Sequence, residues 1–159
     1  MVEKYLWLPQ LLKDELLMEA ERMSPRETGG ILIGYVGDNG DYVITHITGP
    51  GMEASHGRFR FKPDHAYQQA TINRIFEETS GGSDYLGDWH THPSGGCSMS
   101  WLDHRTLQRI GTTSGINISF PVMMIVCDGR EKWGVSAWKY SSSRWVLGAD
   151  TESLFVKVY

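Results

Sequence analysis

The sequence predicts an α+β fold, a mixed and mostly antiparallel sheet flanked by helices. Three observations predict it. Strand-like apolar runs alternate with three stretches of helical periodicity. Several neighbouring strand candidates are joined by turns too short for a crossover helix, which argues against a parallel doubly wound sheet. A chain of 159 residues, 40% hydrophobic and 21% charged, has the size and composition of one globular domain with a real core.

The elements follow in order. Tyr5-Leu6-Trp7-Leu8 reads as a first strand, and Pro9 suits the first position of a helix. Leu11, Leu12, Leu16, Met18 and Met23 recur at helical spacing until Ser24-Pro25 ends the stripe. Thr28 to Val36 reads as a buried strand, Asp38-Asn39-Gly40 as a turn, and Tyr42 to Thr48 as the returning strand. Gly49 to Arg60 reads as loop. Asp64 to Thr79 reads as a second helix with Ala66, Ala70, Ile72, Ile75 and Phe76 inward.

Tyr85 to Trp89 is a short strand after the Gly81-Gly82 turn. Ser100 to Ile110 is the third helix, and Phe120 to Val126 an apolar strand. Trp133 to Tyr140 and Ser143 to Leu147 read as a final antiparallel pair. The domain is expected to span 1–148, with 149–159 a C-terminal tail that forms an edge segment or stays mobile.

Charge and patterning exclude several classes. The net charge is −4, the pI near 5.8, and no Lys/Arg run forms a basic stripe, so nucleic acid is not the expected ligand. Apolar stretches reach only about ten residues, short of a membrane span. Met1-Val2-Glu3-Lys4 lacks the basic-then-apolar layout of a signal peptide, so the expected compartment is the cytoplasm.

The densest chemistry lies in His90-Thr91-His92-Pro93, followed by Ser100 and Asp103. On a strand, residues two apart face one side, so both imidazoles reach one spot. Pro93 ends the strand and Ser94-Gly95-Gly96 makes a bend. Asp103, in the first turn of the next helix, can reach back. Two histidines and a carboxylate make three ligands, which is how a catalytic zinc site leaves a fourth position for water. Ser100-x-x-Asp103 also has the form of a capping box, and one helix start can do both.

Cys97 sits in the same loop, but the ligand set is complete without sulfur. Cys127 ends an apolar run and reads as a small buried residue. His46, His56, His65 and His104 need no metal role. No H-E-x-x-H or H-x-E…P-C-x-x-C pattern occurs. A barrel amidohydrolase needs ~250 residues.

H-T-H-P-x6-S-x-x-D resembles the JAMM motif of the MPN+ metalloprotease family. Glu27-Thr28-Gly29-Gly30-Ile31-Leu32-Ile33-Gly34 matches that family's upstream glutamate and glycine-rich strand. The likeness runs from about Leu8 to Tyr140 and points to the compact prokaryotic branch. It implies a cytidine-deaminase-like sandwich and one Zn2+ held by His90, His92 and Asp103. It also implies Glu27 as general base and acid, and Ser100 as oxyanion donor.

The implied substrate is the amide at the C-terminus of a ubiquitin-like protein, either in a conjugate or in a precursor. E1- and E2-like proteins, including those of antiphage systems, are the implied associates. Gly51 to Phe61 and the bend Ser94 to Met99 are the candidate walls for the substrate tail, with Arg58, Arg60, Ser94, Gly95 and Gly96 as the candidate contacts. Solvated loop charge is an equal reading of the two arginines. Processing of a small sulfur-carrier protein and a non-catalytic scaffold are the alternatives.

Overall fold

A computed structural model describes residues 2–129, 131–142 and 151–159. Seven strands close into a barrel in the order β1-β3-β2-β6-β7-β8-β9, and a two-stranded hairpin, β4-β5, stands beside it. The strands are β1 (Tyr5–Leu8), β2 (Gly29–Val36), β3 (Tyr42–Ile47), β4 (Ser55–His56), β5 (Phe61–Lys62), β6 (Asp84–His92), β7 (Val122–Asp128), β8 (Trp133–Tyr140) and β9 (Thr151–Val158). Three helices occur among the described residues: α1 (Gln10–Met23), α2 (His65–Glu78) and α3 (Trp101–Gly111). The pairs β2-β3, β2-β6, β7-β8 and β8-β9 are antiparallel; β1-β3, β1-β9 and β6-β7 are parallel. The expected mixed, mostly antiparallel α+β architecture is therefore present, with its sheet closed on itself.

Strand alternation sorts the core into two faces. Val122, Met124 and Val126 of β7 join Leu6, Leu8, Leu32 and Trp89 around Leu16 and Ala20 of α1. Met123, Ile125 and Cys127, the intervening residues, pack with Leu107 of α3. On the same outer side Ile31 and Ile33 of β2 meet Ile75 of α2. β7 reads as a continuous apolar run because both of its faces are covered. α2 and α3 thus stand on one face of β2, β6 and β7.

Three expectations are corrected. Thr151–Val158 is no tail or edge segment: it pairs with β8 on one side and with β1 on the other. Its backbone groups find partners in both directions, so the barrel has no free edge there. The expected loop of 49–60 contains β4, which pairs with β5 just beyond it in a hairpin, Ser55 opposite Lys62 and His56 opposite Phe61. On α2 Gln68 and Ile75 are buried and Ile72 packs beside Ile75 as expected, while Ala66, Ala70 and Phe76 face outward. The expected strand Ser143 to Leu147 lies outside the described residues.

Candidate metal centre and groove

β6 delivers both histidines to the outer face. In its ladder with β7, His90 is level with Ile125 and His92 with Cys127, which are the residues that face α3. Thr91 between them is fully buried on the other side. β6 ends at His92, as Pro93 requires, and Ser100 caps α3. The cap is reciprocal. Ser100 Oγ accepts from the Asp103 amide at 3.2 Å, and Asp103 Oδ2 accepts from the Ser100 amide at 2.6 Å. The capping box therefore orients the carboxylate instead of competing with it.

The three donor groups converge. His90 Nε2 lies 2.9 Å from Asp103 Oδ1, His92 Nε2 3.3 Å from Asp103 Oδ2, and the two Nε2 atoms 3.1 Å apart. His92 Nδ1 lies 3.1 Å from the Gly96 carbonyl. A carbonyl only accepts, so Nδ1 carries a proton, and Nε2 is the nitrogen left to offer a lone pair to a metal once its own proton is gone, the usual way in which an imidazole is fixed as a ligand. Asp103 is 8% exposed. Burial pushes its carboxyl up, but the hydrogen bonds to His90, His92 and Ser100 outweigh burial and hold it well below the usual carboxylate range. The His92 imidazole is raised, chiefly by its hydrogen bond to Asp103. Two imidazole nitrogens and an ionised carboxylate within 4.8 Å of one another fit a divalent metal ion.

Glu27 precedes β2 and lies at the same place. Burial raises its carboxyl pKa, His90 and His92 oppose that rise, and the Asp103 carboxylate adds to it. Its neighbour Thr28 is locked to the residue between the histidines. The Thr28 amide donates to Thr91 Oγ1 at 3.0 Å, and the Thr91 amide donates to the Thr28 carbonyl at 2.9 Å. Two glycines make the approach possible. A Cβ at Gly29 would stand 2.4 Å from the Trp89 carbonyl oxygen and 2.8 Å from the Phe61 ring; one at Gly30 would stand 1.9 Å from the Thr48 carbonyl oxygen.

A groove of about 1380 Å³ runs past these groups. Glu27, His90, His92, Ser100 and Asp103 all line it. So do Arg58 and Arg60 from the hairpin tip and Ser94, Gly95 and Gly96 from the bend, so every site residue read from the sequence faces one space. Beyond the centre the groove continues between α2 and α3, past Ile72, Phe76, Arg109 and Ile110. Tyr85 and Asp88 lie in its lining, the Tyr85 hydroxyl donating to Asp88 at 3.1 Å.

Sequence reasoning missed several contacts. Cys97 and Cys127 form a disulfide, which ties the bend to β7 beside His92. Cys97 is thus no ligand, and Cys127 is no free core thiol. The Thr28–Thr91 lock and the Gly96 carbonyl were equally hidden. For Thr91 the one signal was its place between two histidines on an alternating strand.

A groove that leads to three convergent groups able to hold a metal ion, with the Glu27 carboxyl beside them, fits a metal-dependent hydrolase. The comparisons with known proteins give its family. Residues 9–145 match the profile of the prokaryotic homologs of the JAB domain. The chain belongs to that family and is a JAMM-type metallopeptidase. It is 36% identical over 85% of its length, and 83% of the relative's, to the probable metalloprotease y4qB of Sinorhizobium fredii. It is 32% identical to a CD-NTase/cGAS isopeptidase of Escherichia coli, over 67% of this chain and 65% of that one. A CD-NTase/cGAS isopeptidase of Enterobacter hormaechei is 29% identical over 71% of this chain and 62% of its own length. The chain thus matches just under two thirds of the length of these two isopeptidases. The solution structure of protein DSY2949 from Desulfitobacterium hafniense superposes with a TM-score of 0.70 at 15% identity, over 97% of this chain and 92% of that one, and shares the fold.

Proposed function

We propose that this protein is a zinc isopeptidase. Its substrate is the amide that joins the C-terminal residue of a ubiquitin-like protein to an amine, in a conjugate or in a precursor. The observation that carries this reading is the meeting of His90, His92 and Asp103 beside the unligated Glu27 in one groove. The isopeptidase names of two relatives support the choice of bond.

The residues divide the work. His90 Nε2, His92 Nε2 and Asp103 would hold the zinc. When bound, zinc supplies Lewis acidity to the carbonyl and lowers the pKa of water toward ~7. Glu27 takes the proton of the attacking water and returns it to the leaving amine. Burial raises its pKa, which is the direction that favours holding the proton between the two halves of that exchange. Ser100 Oγ uses its lone pair to cap α3, which leaves its O–H to donate to the developing oxyanion. The β4-β5 hairpin with Arg58 and Arg60 and the bend with Ser94, Gly95 and Gly96 form the two walls for an extended tail. An extended tail can add to the short hairpin edge by strand pairing.

In this reading the enzyme works in the cytoplasm with E1- and E2-like proteins, as one catalytic domain, in an antiphage or similar conjugation system. Among the described residues, no helix is long and apolar enough to cross a membrane. The test is a purified isopeptide conjugate of a ubiquitin-like protein with a cGAS-like nucleotidyltransferase. The zinc-loaded protein should separate the two, and Glu27→Gln should bind the conjugate and leave it whole. Equal cleavage by Glu27→Gln and the parent protein would remove Glu27 from the chemistry.

A further inference from the structure

We infer that His56 is a positioning residue for Glu27, and that through it the β4-β5 hairpin sets the place of the carboxyl that carries the proton. The inference rests on the role proposed for Glu27.

Glu27 stands outside the β2 ladder, which begins with Gly29 opposite His90. Its own backbone must therefore find partners elsewhere. Both partners are consecutive residues of the hairpin. His56 Nδ1 lies 2.9 Å from the Glu27 carbonyl oxygen, and the Glu27 amide donates to the Gly57 carbonyl at 2.7 Å. Because a carbonyl only accepts, His56 must carry its proton on Nδ1. The ring is braced in turn. It packs on Phe61 at 5.4 Å between centroids, and Phe61 fills the space that Gly29 leaves open beside His90. The Gly57 amide donates to the Arg60 carbonyl at 2.7 Å and closes the tip that carries Arg58, exposed Phe59 and Arg60.

The consequence is mechanical. Thr28 ties one side of Glu27 to the ligand strand, and His56 with Gly57 ties its own peptide groups to the groove wall. A displacement of about 1 Å in a catalytic group can cost ~10² in rate. Loss of the His56 donor should therefore lower turnover while the metal ligands and the outer groove stay as they were.

The test compares His56→Ala, His56→Asn and His56→Gln in the zinc-loaded protein. Asparagine places an amide N–H near the position of Nδ1; glutamine places it near Nε2. Amide hydrogen exchange over residues 26–30 is read together with kcat, KM and zinc content on the conjugate used above. His56→Ala and His56→Gln should speed exchange at the Glu27 amide by about tenfold or more and lower kcat by ~10 to 10², with zinc content kept and KM changed less. His56→Asn should restore both to within about threefold. Unchanged exchange in His56→Gln, or His56→Asn as impaired as His56→Gln, overturns the inference. That comparison stands even where His56→Ala fails to fold. An inactive Glu27→Gln beside fully active His56 variants overturns this inference alone, and an active Glu27→Gln overturns the role of Glu27 and this inference with it.

Discussion

Two roles meet at Ser100, the helix cap seen in the structure and the proposed oxyanion donor, and substitution can separate them. Its Oγ accepts the Asp103 amide at 3.2 Å, whereas the carboxylate of Asp103 is held by the Ser100 backbone amide at 2.6 Å. The second bond needs no side chain at position 100. Ser100→Ala should therefore keep Asp103 in place and keep the metal. It removes one cap bond, a cost of about 1 kcal/mol, and it removes the hydroxyl donor. Loss of one oxyanion donor lowers kcat by ~10² to 10³, or roughly 2.7–4 kcal/mol. Ser100→Gly costs the cap only a few tenths of a kcal/mol, and Ser100→Asp retains an acceptor for the Asp103 amide but gives no donor. All three should share the fall in kcat, although their melting temperatures differ. The assays are steady-state cleavage of the conjugate, thermal melting and zinc content. Activity that follows melting temperature across the three, with kcat intact in Ser100→Gly, would refute the donor role.

Three further outcomes follow from the same contacts. The Glu27 carboxyl is raised above its ordinary 4.5, chiefly by burial, so the folded state holds that proton more tightly than the unfolded chain does. The stability this gives is full below ~4.5 and is lost as pH rises through the raised value. Metal-free Glu27→Gln should thus melt higher than metal-free parent protein at pH 7 and no higher at pH 4; equal melting at both would contradict the burial argument. Thr91→Val leaves the buried Thr28 amide without its acceptor, a loss of ~1–3 kcal/mol that denaturant titration should detect. Reduction of the Cys97–Cys127 bond, which joins residues 30 apart, should lower stability by at most roughly 3–4 kcal/mol and speed hydrogen exchange in the 93–100 bend. Exchange that is the same with and without a dithiol would show that the disulfide does not hold the bend.

The sequence made some of this molecule legible and hid the rest for physical reasons. β6, α3 and the meeting of His90, His92 and Asp103 could be read because period 2, a capping box and a fixed motif spacing are local signals. α1 could be read from its stripe, though Leu11 and Met18 proved exposed because the buried face is narrow, centred on Leu16 and Ala20. The inner face of α2 was misread because Ala66 and Ala70 are small enough to stand on either side. β4 and β5 have two residues each, too few to show an alternation. β9 does alternate, with Leu154, Val156 and Val158, but its place is set by pairing with β1 at the other end of the chain. The same distance hid the partners of His56, Thr28 and Cys97, which only the closed barrel brings together.

In the proposed function, one metal ion at His90, His92 and Asp103 makes this groove a peptidase. The most direct measurement strips the protein with a chelator, returns Zn2+ in steps and follows cleavage of the isopeptide conjugate. The stripped protein should show no cleavage, recovery should saturate at one equivalent per chain, and Asp103→Ala should not recover. Full cleavage by the stripped protein, or full recovery in Asp103→Ala, would contradict the proposed function.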